Sequence, residues 1–218
     1  MNSRAGHKVS AAFARDEVNF FRQFKKPCDV QTFLNQIPYD AAPGTSSPKV
    51  VIHDRKANCF EGALFAAASL RMIGFRPLIV DMIAENDDDH VFAIFRQSEN
   101  YGAIAKSNTT VLRYREPVYR TLRELVLSYF DFYFNVIGEK TLRSYSNAVD
   151  LSRFDKLNWM TTDKDLDFIG DYLNGIKHRK ILTAKQIRGL SRADGDLVRL
   201  CFSGALEDGV YEPVKRVR

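Results

Sequence analysis

Residues 59–73 are apolar on nearly every helical face. Phe60, Ala63, Leu64, Phe65, Ala66, Ala67, Ala68, Leu70, Met72 and Ile73 leave no polar stripe between them. Such a helix cannot present a side to water, so it must be the buried element of a layered domain. Gly74 follows where a left-handed residue closes a helix, and the run of alanines lets a sheet approach the helix backbone closely. Three β-rich runs come next, at 78–83, 91–95 and 101–106, the first two separated by the acidic stretch 85–89. This order predicts an α+β fold in which an antiparallel meander lies against one central helix.

The flanking sequence is read as helical. Residues 11–24 and 30–36 carry helix-type spacing, and the prolines and glycine of 43–48 mark a loop. Leu122, Leu125, Val126, Tyr129, Phe130, Tyr133 and Ile137 recur at intervals of three and four between Pro117 and Gly138, which predicts a long amphipathic helix over 118–137. Beyond Glu139 the signals suggest helices near 163–173, 184–191 and 196–202. We therefore expect a core domain at 1–138 and a basic helical extension at 139–218. A chain of 218 residues has the length for both.

Composition narrows the function classes. With 45% hydrophobic and 27% charged residues the chain is an ordinary globular one, which excludes wholesale disorder. No apolar run approaches the roughly 20 residues of a bilayer helix, so no membrane span is expected. The stretch 1–15 has no apolar segment of the signal-peptide kind. With only Cys28, Cys59 and Cys201, a reducing, cytoplasmic location with free thiols is the expectation. The net charge of +5 arises within 176–218, where ten Lys and Arg face five Asp and Glu. That surface is read as solvated, with at most weak contact to an anionic partner.

Cys59 falls in the first turn of the central helix, where free backbone N–H groups favour a thiolate. His90 opens the second predicted strand, and Asn108 follows the third. In this order they suit a nucleophile, a general base and an orienting group. Ser107, Asp81 and Asp89 are alternatives for the third role. Zinc binding by Cys59, His90, His53 and Asp87–Asp89 is disfavoured, because no short paired ligand spacing is present. The aspartates read as a polar hairpin turn, and Cys28 and Cys201 as bystanders.

The same residues resemble the transglutaminase-like superfamily of papain-fold cysteine enzymes. The resemblance spans 33–110 and rests on Cys59 at the head of its helix, on Leu70-Arg71-Met72-Ile73-Gly74-Phe75-Arg76-Pro77, on His90-Val91-Phe92 and on Ser107-Asn108. It implies a papain-like core and amide chemistry through a Cys59 thioester, with His90 as base and Asn108 as orienter. The implied substrate is a peptide or protein amide, the acceptor is water or an amine, and neither cofactor nor metal is needed. Two departures stand out. Ala57 occupies a position where the family commonly has glycine, and Asn108-Thr109 replaces the usual Asp-Pro. An amide can orient an imidazole but cannot balance its charge. The backbone N–H of Cys59 is the natural oxyanion donor, with Asn58 or His53 as side-chain candidates. A catalytically inactive scaffold that binds a protein or nucleic acid is the alternative class.

Overall fold

The computed structural model describes residues 13–214. Three helices, α1 (Arg15–Phe21), α2 (Pro27–Gln36) and α3 (Pro48–Asp54), lead into the central α4 (Cys59–Met72). Proline at the first helical position starts both α2 and α3, since the missing N–H would have had no partner there. Pro48, expected inside a loop, is thus a helix start. Helix α4 ends as expected, with Gly74 at φ 98° and the Phe75 N–H donating to the Leu70 carbonyl at 2.9 Å.

Strands β1 (Leu78–Ala84), β2 (His90–Gln97), β3 (Asn100–Ile104) and β4 (Arg115–Tyr119) follow, then α5 (Leu122–Phe130). After these come β5 (Leu142–Ser146), β6 (Val149–Asp150), a 3₁₀ turn (Leu151–Leu157), α6 (Asp167–Gly175), β7 (His178–Lys180), α7 (Ala184–Arg188) and α8 (Gly195–Phe202). The sheet is antiparallel in the order β4-β3-β2-β1-β5-β7, with β6 pairing to β1. The expected meander is β1-β2-β3.

Period-two alternation sorts β2 between two cores. Val91, Ala93 and Phe95 pack with the alanines of α4, while Phe92 and Ile94 face Tyr129 of α5. Both faces are covered, which explains why residues 90–95 are buried without interruption.

Two expectations are corrected. The long helix at 118–137 is instead edge strand β4 followed by the shorter α5. Thr121 caps α5 by accepting the Glu124 N–H, and Pro117 is tolerated at the sheet edge, where its missing donor breaks no ladder. Tyr133 keeps its burial from a non-helical segment, its hydroxyl donating to the Asp88 carbonyl at 2.7 Å. The second correction concerns the boundary after Gly138. Strands β5 and β7 extend the same sheet, and Phe154, Trp159, Leu166 and Ile169 join the core around α4. Residues beyond 138 therefore complete the main body; they are not a separate helical appendage.

Candidate active site

The start of α4 is built by a reciprocal cap. Asn58 Oδ1 accepts the Glu61 N–H at 2.9 Å, and Glu61 Oε2 accepts the Asn58 N–H at 3.0 Å. The buried Glu61 also accepts the Ser46 N–H at 2.8 Å, tying the preceding loop to the helix. Tyr39 runs beside this entry through backbone bonds between Pro38, Asp40 and Ala57, and its hydroxyl meets the backbone N–H of Cys59.

Cys59 opens onto a cavity of about 500 Å³ that His90 and Asn108 also line. All three residues singled out in the sequence therefore line one cavity. Their hydrogen bonds, however, go elsewhere. Cys59 Sγ points to the Asp89 carbonyl at 3.9 Å. Alternation places His90 on the Phe92 face of β2, its ring 6.5 Å from that of Tyr133 and held against the Leu112 backbone. His90 Nε2 is buried without a hydrogen-bond partner. The Asn108 amide bonds to Leu206 and Gly209, and none of its hydrogen bonds reaches His90. Nor do the alternative orienters serve it. Asp81 accepts from His178 Nε2 at 3.0 Å, and Asp89 accepts the Ala84 N–H at 2.7 Å.

The electrostatics describe a neutral resting state. Burial pushes the Cys59 thiol up to about 11, reinforced by the Asp88 and Asp81 carboxylates. Burial pulls His90 down to about 4, helped by the nearby Arg115 cation. The thiolate expected from the helix N-terminus is therefore not the ground state, because desolvation and two carboxylates outweigh the dipole. Asp87 is raised to about 6, again by burial. Among the described residues no cluster of His, Cys, Asp and Glu is arranged to hold a metal ion, and no helix is long and apolar enough to cross a membrane.

Several site residues were missed or misassigned in the sequence. Tyr39 and Tyr133 flank the thiol and the imidazole, yet no local signal distinguishes them from core aromatics. His53, a candidate oxyanion donor, is turned away to Glu17 at 2.9 Å. Asn58 lines the cavity, but its side-chain oxygen is used in capping α4.

The chain is similar to two solved structures of LapG from Legionella pneumophila, one of them EGTA-treated. Identity is 18% in both cases, at a TM-score of 0.34, and the match covers 47% of this chain and 70% or 72% of LapG. No family model matches the sequence, and no curated protein does.

Proposed function

We propose that the protein is a transglutaminase-like cysteine hydrolase or acyltransferase acting on amide bonds. One observation carries the reading: a thiol at a helix N-terminus and a buried imidazole nitrogen without a partner line the same cavity. An unpartnered buried polar atom costs stability, so its presence in a residue that shares a cavity with a thiol argues for use. In this reading the Cys59 sulfur attacks the amide carbonyl while its proton passes to His90 Nε2. The C–N bond then breaks, His90 returns the proton to the leaving amine, and water or a second amine releases the acyl group. The Cys59 N–H, now facing Tyr39, is the donor available to the oxyanion. Asn108 would orient His90 through its Oδ1, which now accepts the Leu206 N–H.

An activated ester tests this without knowledge of the natural substrate. After brief exposure to p-nitrophenyl acetate, mass mapping should find acetyl on Cys59, with the label lost in Cys59→Ala and strongly reduced in His90→Ala. Equal labelling of Cys28 and Cys201, or indifference to His90→Ala, would sink the catalytic reading. The second reading, a silent scaffold, is favoured by the diversion of the Asn108 amide, and it predicts that indifferent result.

A further inference from the structure

The chain's own residues 203–214 run past the cavity over Cys59. Asp208, Gly209, Val210 and Tyr211 line it together with Cys59 and His90. Two asparagines hold this segment, and both read its main chain. Asn108 Oδ1 accepts the Leu206 N–H at 2.8 Å, while its Nδ2 donates to the Leu206 and Gly209 carbonyls at 2.9 and 2.8 Å. Asn86 repeats the pattern on Val214, accepting its N–H at 2.8 Å and donating to its carbonyl at 3.1 Å. Each amide thus supplies both a donor and an acceptor to the main chain, Asn108 at the two ends of a 3₁₀ turn over Glu207–Gly209 and Asn86 at a single residue. The Asn86 clamp is also fixed from behind, by Glu139 Oε2 at 3.1 Å and by Asn135 Nδ2 on its own carbonyl at 3.1 Å.

The side chains at the clamps contribute little to the hold. Leu206 and Val214, the clamped residues, remain 44% and 68% exposed. A segment attached by main-chain bonds at the surface belongs to the part of a protein that opens most readily. Its charge is also poorly matched. Asp208 enters a cavity already lined by Asp40, Asp87, Asp88 and Asp89, with Glu207 and Glu212 close in sequence.

We propose that Asn86 and Asn108 are the main-chain clamps of a groove for a polypeptide segment that turns at Asn108, and that residues 203–214 occupy this groove as an internal competitor. The substrate class is then a peptide with neutral or basic side chains between the clamps, since the acidic lining repels the resident segment. The proposal rests on the amide-chemistry reading of the same cavity and adds its recognition element.

The full-length chain carrying Gly209→Val tests it. A Cβ at Gly209 would stand 3.0 Å from both Asn108 Nδ2 and the Tyr39 ring, so the bulkier valine lifts the segment. Hydrogen exchange at Leu206 and Val214 should accelerate, and alkylation of Cys59 by iodoacetamide at pH 8 should rise several-fold relative to Cys28. Asn108→Ala, which adds no bulk, should move both readouts in the same direction. A synthetic peptide of residues 203–214 should slow the alkylation again in Gly209→Val. The same peptide with Lys at positions 207, 208 and 212 should do so at lower concentration. Unchanged Cys59 alkylation once the exchange protection is lost overturns the proposal, as does failure of both peptides to protect. Thiol accessibility needs no turnover, so these outcomes are separate from the fate of the catalytic reading. Absent acetylation of Cys59 sinks the enzyme, whereas acetylation with segment-independent alkylation sinks only the groove.

Discussion

Gly62 lies in the first turn of α4, where replacement by alanine would ordinarily strengthen a helix by about 1 kcal/mol. Here the sign should reverse. An alanine Cβ at position 62 would stand 2.3 Å from Lys106 Cβ, whereas carbon atoms rest about 3.5–4.0 Å apart. More than about 1 Å of separation must therefore open between α4 and the segment after β3. Lys106 is badly placed to yield. Its buried ammonium donates to the carbonyls of Leu34 and Ile37, at 3.0 and 2.6 Å, and so closes the end of α2. Overpacking of this kind costs about 1–3 kcal/mol, and any loosening of the two charged hydrogen bonds adds to it. With loosened Lys106 hydrogen bonds offsetting the propensity gain, Gly62→Ala should destabilise by about 2 kcal/mol. Urea unfolding followed through Trp159, the only tryptophan in the sequence, gives the value, with an unchanged denaturant slope as the check on two-state behaviour. Gly170→Ala in α6 is the matched control. Nothing lies within 4 Å of its added Cβ, so it should gain up to about 1 kcal/mol. A Gly62→Ala protein as stable as the wild type would refute the close-approach argument. Because Ser107 and Asn108 follow Lys106 directly, the same substitution should also disturb the Asn108 clamp.

Two further outcomes are expected. His90 titrates at about 4 when folded, against an ordinary 6.5, so the unfolded chain takes up its proton first as the pH falls. Its stabilising contribution is complete above 6.5 and is lost between 6.5 and 4, a swing of about 3 kcal/mol. Wild type should therefore lose more stability than His90→Gln between pH 7 and pH 4.5 in urea titrations, and parallel curves would contradict the assigned burial. Asp155 accepts two bonds from Arg71, at 2.6 and 2.7 Å, and one from the Trp159 indole N–H at 3.2 Å. Asp155→Ala strands that buried indole donor and should cost about 1–3 kcal/mol, with a shift in Trp159 emission; unaltered emission would argue against the contact.

Much of the core was legible because its signals are local. The uniform apolarity of 59–73, the glycine that closes it and the β-rich runs after it each report the environment of their own backbone. Helix α4 and strands β1 to β3 accordingly lie close to where the sequence puts them. The 118–137 reading failed for the complementary reason. Spacings of three and four persist through Tyr133, but that side chain is buried from a coil, and the cap at Thr121 and the edge pairing of Arg115–Tyr119 depend on what lies alongside. Strands β5 and β7 carry polar residues such as Arg143, Ser144 and Arg179 and show no strand pattern, because sheet membership there is conferred by the neighbouring ladder.

The site divides in the same way. Residue types and chain order, together with the family resemblance, nominate Cys59, His90 and Asn108, and the folded chain brings all three to one cavity. Sequence alone could not tell which hydrogen bonds they make. The face of β2 that carries His90 is set by the register Met82↔His90 and by the packing of α4 and α5 on opposite sides. The elevated Cys59 thiol follows from burial and from the Asp88 and Asp81 carboxylates. The diversion of Asn108 follows from residues about a hundred positions away folding back over the cavity. Helix and strand preference act over a few neighbouring residues and can be read along the chain. Desolvation, strand facing and the choice of hydrogen-bond partner depend on what the completed fold brings into contact.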